Sequence, residues 1–218
     1  DLCTGSGDIA VRLAEAHNDV RVIGVDASAP MLSVASRKAE RYKDRVSFRL
    51  GDALALDFPD AHFDGVIISF GLRNLSSLTA GLLEMKRVVR PGGFVCSVDQ
   101  GRPNGFLFSL GYEVYFRRVA PLLGKLVFHR GEFNSFRYLP ESNRYFPSQD
   151  RLCGMMSELG FVNVQNHNFW QGAVAQQIDD GAASLEGQIR QIDAAARIAE
   201  RGIAGRLESP PDRLAQHM

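Results

Sequence analysis

"DLCTGSGDIA" (residues 1–10) carries Gly5, Gly7 and Ala10 at the spacing G-x-G-x-x-[GA]. That spacing belongs to a turn that leaves a strand and enters a helix around a bound nucleoside, where a glycine lets the backbone come close to the ligand. Asp26 lies 19 residues beyond Gly7, at the end of the apolar run "VRVIGVD" (20–26). A carboxylate there accepts the hydroxyls of a ribose. The pattern alone fits two cofactors that share an adenosine, a nicotinamide dinucleotide and S-adenosyl-L-methionine.

The flanks separate the two. Asp1 stands before the glycines at the end of the first strand, where a carboxylate repels a pyrophosphate and attracts the ammonium of a methionine moiety. Asp52 in "LGDA" follows the third strand, placed to accept from an adenine amino group. Each acid by itself is also an ordinary cap or turn residue. Three acids at three successive strand ends, on the edge where doubly wound sheets hold ligands, favour a cation over a pyrophosphate.

Outward from this loop, "VRVIGVD", "FDGVIISF" (63–70) and "GFVCSVD" (93–99) read as buried parallel strands, with "RVSFRL" (45–50) a weaker one. Helical spacing covers 8–17 (Ile9, Leu13, Ala16), 29–41, 78–90 (Leu78, Leu82, Met85, Val89) and 148–159. "RPGG" (90–93) is expected to end the third of these helices and turn into the next strand. "GFVNVQNHNF" (160–169) and "GAVAQQI" (172–178) close the series. With the strand that ends at Asp1, this is an α/β, doubly wound, mostly parallel seven-stranded sheet, a Rossmann-like class.

Between Arg102 and Arg144 the pattern changes: eleven of the chain's 20 aromatics fall in 106–146, interleaved with seven Lys or Arg against three acids. So long a segment reads as an inserted lid, about 101–147, within a domain spanning 1–178. Residues 179–218 form an appendage, an amphipathic helix over 184–205 followed by a polar Pro-Pro tail. That helix is a core or homo-oligomer contact before it is a membrane contact.

The whole chain has 218 residues, with 25 Lys+Arg against 25 Asp+Glu. A neutral balance argues against a dedicated nucleic-acid binder. Three scattered cysteines, Cys3, Cys96 and Cys153, suggest neither a disulfide framework nor a metal site and fit a reducing compartment. No apolar run reaches the roughly 18 residues a membrane span needs. The chain begins without methionine inside its own ligand loop, so most of the first strand and the region ahead of it are expected to be cut away.

Taken together, "DLCTGSGD", "GVDASAPML", "GDALALDFPDAHFD", "SFGLRNL", "EMKRVVRPGG" and "YLPES" resemble the C-methyltransferase family of menaquinone and ubiquinone biosynthesis, over Asp1 to about Gln176. The resemblance implies S-adenosyl-L-methionine-dependent methylation of a ring carbon of a prenylated quinol. It implies cofactor contacts at Ser6, Asp26, Asp52, Ala53 and Ser69, beside Asp1, Gly5 and Gly7. It places Arg73 and Asn74 of "GLRN" next to that pocket, and Tyr138 and Glu141 of "YLPES" on a quinol oxygen. The stretch from Arg102 to Leu126 is more similar to the menaquinone-type members, which makes demethylmenaquinol the first choice and a methoxybenzoquinol of ubiquinone synthesis the alternative.

Methyl transfer to carbon needs the nucleophilic carbon held in line with the breaking bond, and a neighbouring hydroxyl that is losing its proton. Arg73 cannot act as a base, but its charged fork orients water and stabilises a phenolate; its plainer reading is a salt-bridge arginine. Tyr138 is otherwise a packing aromatic. His129 is better read as a surface or packing residue. A prenyl tail must stay in a bilayer, since exposing it costs about 0.8 kcal/mol per methylene. The aromatic and basic segment therefore suggests a cytoplasmic enzyme that docks peripherally on the inner face of the membrane. The same aromatics also serve as a lid core. The rivals are a different S-adenosyl-L-methionine enzyme, disfavoured because "SFGLRN" stands where an N-methylating motif would be, a nicotinamide oxidoreductase, which lacks a Tyr-x-x-x-Lys pair, and a non-catalytic protein that keeps the fold.

Overall fold

The computed structural model describes residues 1–101, 146–169 and 174–180. These fall into two compact units, Asp1 with Cys3–Leu50, and Leu2 with the described residues from Gly51 onward. Residues 102–145, nearly all of the proposed lid, and the C-terminal helix lie outside the described residues.

In the first unit, helix α1 (Asp8–Ala16) and helix α2 (Ala29–Lys38) pack on the parallel strands β1 (Val22–Asp26) and β2 (Val46–Leu50). The two strands pair in register from Val22 opposite Val46 to Asp26 opposite Leu50. The β-branched residues of "VIGVD" suit a half-buried pleat, and Val22 and Val25 are buried. The buried stripe of α1 is Ala10, Leu13 and Ala14, so the expected Ile9–Leu13–Ala16 face is rotated: Ala16 is exposed. Small Ala10 and Ala14 let the helix lie close to the sheet. Helix α2 stops at Lys38, short of the expected 41, and a 3-10 turn follows at Glu40–Tyr42.

Gly7 begins α1 in the left-handed region, at φ 77°. A β-carbon there would sit 2.8 Å from both Ala35 Cβ and Phe48 Cζ. Left-handed backbone strain and overpacking add, so Gly7→Ala is expected to cost about 3 kcal/mol in a urea titration of the folded chain.

The second unit is built on β3 (Phe63–Ser69), β4 (Val89–Gln100), β5 (Gln165–Phe169) and β6 (Val174–Asp180), in the order β3-β4-β6-β5. β3 and β4 run parallel, and β6 runs antiparallel to both β4 and β5. Among the described residues there are thus six strands, and Leu2 adds an isolated parallel bridge to Ile68. Helix α3 (Leu78–Val88) is capped by the Ser77 hydroxyl, which accepts from Ala80 N at 3.2 Å. It buries Leu82, Met85 and Val88 completely, each contributing about 1.5–3 kcal/mol. Helix α4 (Gln149–Glu158) buries Leu152 and Met156 in the same way.

The expected helix over 78–90 ends two residues early, and Val89 opens β4. Pro91 is the reason: it disfavours helical backbone at Arg90 and has no N–H to continue a ladder. Phe63 pairs with Val89 and Gly65 with Phe94, so Arg90–Gly93 loop out of the pairing as an irregularity within β4. Gly92 takes φ 80° there, and a β-carbon on Gly93 would lie 2.5 Å from the Asp64 carbonyl oxygen.

Arg87 ties α3 to the segment before β3. It donates to Glu84 at 2.7 and 2.9 Å, to Asp60 at 2.6 Å and to the carbonyls of Leu56 and Phe58, while Glu84 accepts Leu56 N at 2.7 Å. The Arg87 hydrogen bonds hold the Glu84 carboxyl below its usual range despite some desolvation. A depressed acid stabilises the fold above its unfolded pKa, near 4.3, and loses that contribution as pH falls through the folded value. Glu84→Gln is therefore expected to melt about 3 °C lower than the parent at pH 7, with the gap closing below pH 4 in thermal scans.

Candidate functional site

The first unit carries the glycine loop. Thr4 N donates to the Val25 carbonyl at 3.1 Å and Gly7 N to the Thr4 carbonyl at 2.9 Å, which ties the loop to β1 and closes it on itself. Both oxygens of Asp26 accept backbone N–H groups, Oδ2 from Gly5 at 2.8 Å and Oδ1 from Ser28 at 2.9 Å. Asp26 thereby shapes the loop and keeps further lone pairs for a ligand. Gly5 sits at φ 54°, a conformation glycine adopts without penalty. The Asp1 carboxylate accepts the Thr4 hydroxyl, while its backbone pairs with β1 through Ile23 O and Val25 N.

Asp1, Gly5, Gly7 and Asp26 are thus brought together. Ser6 faces elsewhere: its hydroxyl donates to Asp8 at 2.7 Å and accepts from Lys38 at 2.9 Å in an exposed cluster. With no Lys or Arg in residues 1–10 and two carboxylates on the loop's strand side, the donor set fits a cationic ligand with a ribose diol better than a pyrophosphate.

The second unit holds the other predicted residues. Exposed Asp52 accepts Leu54 N at 2.9 Å through Oδ1, a tight turn that fixes the carboxylate beside buried Ala53. Ser69 ends β3 opposite Val98. Immediately after it, Phe70 takes φ 54°, unusual for a bulky residue, with its N–H on the Val98 carbonyl at 2.7 Å. Such backbone strain, about 1–2 kcal/mol, persists only where the surroundings impose it and concentrates at functional turns. Residues Leu72–Asn74 then form a short 3-10 turn plugged by buried Leu72, and Asn74 Nδ2 closes it on the Phe70 carbonyl at 3.2 Å.

The turn buries Arg73. Its side chain is 6% exposed and its Nη1 pairs with Oδ1 of Asp99, itself 1% exposed at the end of β4. Arg73 N also donates to Asp99 Oδ2 at 3.2 Å, and Gln100 N to Oδ1 at 2.8 Å. The guanidinium lies 5.5 Å from the Phe70 ring centre, within cation–π range. Its Nε is buried and has no hydrogen-bond partner among the described residues. Burial pushes the Asp99 carboxyl above its ordinary range, and the neighbouring Arg73 charge and N–H donors pull in the other direction without reversing it. A narrow cleft opens beside Asp99, walled by Phe146, Pro147, Gln149 and Leu152.

Tyr138, with Glu141 and His129, lies outside the described residues. The sequence reading missed Asp99 and Phe70. Asp99 had a usable signal, since it ends "GFVCSVD" in the same strand-end position that drew attention to Asp26. The left-handed turn at Phe70 had none.

Residues 1–179 match the model of the ubiE/COQ5 methyltransferase family. The demethylmenaquinone methyltransferase of Thermus thermophilus is 45% identical over 161 residues, covering 74% of this chain and 72% of that protein. That of Bacillus licheniformis is 40% identical over 179 residues, covering 82% and 76%. The ubiquinone/menaquinone biosynthesis C-methyltransferase UbiE of Geotalea daltonii is 35% identical over 175 residues, covering 79% and 73%. Among solved structures, a SAM-dependent methyltransferase from Aquifex aeolicus superposes with a TM-score of 0.57 at 16% identity, covering 82% of this chain and 78% of that one. The fold is that of the Rossmann-like S-adenosyl-L-methionine methyltransferases, and on its sequence the chain belongs to the ubiE/COQ5 methyltransferase family.

Proposed function

We propose that this enzyme uses S-adenosyl-L-methionine to methylate the ring carbon of demethylmenaquinol, giving menaquinol. The observation that carries the chemistry is Arg73: a buried guanidinium, held in place by Asp99, with its Nε–H lacking an acceptor among the described residues. A buried N–H is costly to leave unmade, so an oxygen of the bound quinol is its natural acceptor.

The bound cofactor supplies an electrophilic methyl group on a sulfonium. Asp26 would take the ribose hydroxyls while keeping Gly5 and Ser28 in place, Asp1 would meet the methionine ammonium and Asp52 with Ala53 the adenine amino group, with Ser69 a further cofactor contact. Ser6 joins this set only if its hydroxyl leaves Asp8 and Lys38. The ring carbon becomes nucleophilic as the adjacent hydroxyl gives its proton to a water that the Arg73 fork orients; Arg73 stabilises the charge left on that oxygen, and the proton of the methylated ring carbon is released to solvent. Asn74 keeps the turn closed behind Arg73, and Tyr138, with Glu141, is the candidate for gripping a quinol oxygen.

A seven-stranded sheet with an aromatic lid belongs to the same reading, supported by the six strands among the described residues and the Leu2 bridge. So does peripheral docking from the cytoplasm on an anionic membrane face, supported by the basic, aromatic run from Arg102 to Arg144 and by the tail of the substrate. Among the described residues no helix is long and apolar enough to cross a membrane. Self-association through 184–205 rests on its helical apolar spacing.

The test is turnover of short-chain demethylmenaquinol, read by mass spectrometry as the gain of one methylene unit, in parallel with a methoxybenzoquinol. Faster methylation of the naphthoquinol supports the proposal. Preference for the benzoquinol would move the enzyme to ubiquinone synthesis, and binding of NADH in place of S-adenosylhomocysteine would refute both.

A further inference from the structure

We infer that Asp99 is a positioning residue for the methyl transfer, acting through Arg73, an inference that rests on the phenolate-stabilising role proposed above for that arginine. A free arginine carries about 2 kcal/mol of rotamer entropy, and a guanidinium that must find its place during the reaction stabilises charge poorly. Here the orientation is set in advance. One carboxylate grips the residue twice, through Nη1 of the side chain and through the backbone N–H at 3.2 Å, so both ends of Arg73 are referred to the same two oxygens. Gln100 N, at 2.8 Å, anchors that carboxylate to the end of β4.

Asp99 also makes the burial of Arg73 tolerable. A guanidinium only 6% exposed would be expelled or would draw in water without a counter-charge, and the only acid paired with it among the described residues is Asp99. Asp99 occupies Nη1 and the Phe70 ring lies over the guanidinium carbon, while Nε is a buried donor with no partner among the described residues. Asp99 also lines a narrow crevice with Phe146 and Leu152, which closes the far side of the carboxylate with apolar side chains. Asp99 therefore decides which N–H groups of Arg73 are spent on the protein and which are kept for the substrate.

The experiment compares Asp99→Asn and Asp99→Glu, each alone and in an Arg73→Ala background. It reads kcat and KM on short-chain demethylmenaquinol and the Kd of S-adenosylhomocysteine by calorimetry. Asp99→Asn is expected to lower kcat at least about 30-fold, leaving the quinol KM and the S-adenosylhomocysteine Kd within about threefold, the signature of a loss confined to the transition state. Asp99→Glu, which keeps the charge, should recover kcat to within about tenfold of the parent. On the Arg73→Ala background, Asp99→Asn should cost less than about twofold more, because residues acting as a unit are not additive. An unchanged kcat, losses that multiply with those of Arg73→Ala, or a Kd that rises in step with the fall in kcat would overturn the inference. Should Asp99→Asn fail to fold, Asp99→Ser, which also removes the charge, takes its place in the same comparison with the same expected losses. If the unmutated protein methylates and Arg73→Ala is impaired while both Asp99 variants behave like the parent, this inference alone falls; if the unmutated protein methylates no quinol, the proposed function falls with it.

Discussion

Arg73→Ala is expected to lower turnover of demethylmenaquinol by about 10²–10³-fold while the affinity for S-adenosylhomocysteine stays within about threefold, as removal of a preorganised donor to a developing oxyanion does. The two readouts separate the roles open to this residue: a loss of cofactor affinity that tracks the loss of rate would make Arg73 a structural arginine. The structure adds a stability cost. Removing one partner of a buried ion pair leaves Asp99, 1% exposed, without its counter-charge, at a cost of about 3–5 kcal/mol. Arg73→Ala should therefore also melt well below the parent at pH 7. Combining it with Asp99→Asn should restore much of that melting temperature without restoring turnover. Recovery of one and not the other, measured by thermal scans alongside single-turnover assays, distinguishes the charge balance of the turn from its chemistry.

Asp26→Asn is expected to weaken S-adenosylhomocysteine binding by about 30- to 100-fold, measured by calorimetric titration. The substitution is nearly isosteric, so the effect comes from hydrogen-bond direction. Both Asp26 oxygens accept from backbone N–H groups, of Gly5 at 2.8 Å and of Ser28 at 2.9 Å. An amide presents one oxygen and one NH₂, so one of these donors must face another donor. If Gly5 is the one displaced, the loop loses its tie to the end of β1; if Ser28 is, the entry to α2 loosens. Either way the pocket is disordered as well as deprived of a charged acceptor for the ribose. Binding within twofold of the parent would show that neither the loop ties of Asp26 nor a ribose contact carries cofactor affinity.

Much of this was legible in the chain. The β-branched runs placed β1, β3 and β4 within a few residues, because buried parallel strands have nowhere to put polar groups; β2, where only Val46 is buried, gave a weaker signal. Leu82 and Met85 were assigned to the buried face of α3 from spacing alone, and both are fully buried. The end of that helix was less legible: local periodicity carried it to residue 90, whereas the backbone preference imposed by Pro91 ended it at Val88. Asp26 could be found because a strand end and a glycine loop lie close in sequence. The pairing of Arg73 with Asp99 could not, since the two are 26 residues apart and meet only because β3 and β4 are neighbours in the sheet. Ser6 shows the opposite difficulty. A hydroxyl in the expected position drew a cofactor role, yet Lys38, 32 residues on, takes it as an acceptor. The acids at Asp1, Asp26 and Asp52 pointed to a cationic nucleoside cofactor; family resemblance supplied the class of reaction, which no pattern of charge or hydropathy contains.

The order β3-β4-β6-β5 also has a history. During synthesis β4 is complete at Gln100, but the strand that covers its second edge, from Phe94 opposite Asp180 to Gln100 opposite Val174, is not made until the aromatic segment has followed it out of the ribosome. In that interval the nascent chain presents an unpaired, strongly apolar strand edge, the kind of template on which copies aggregate. Yield in a heterologous host should thus depend less on the final stability of this enzyme than on how long that edge waits for its partner.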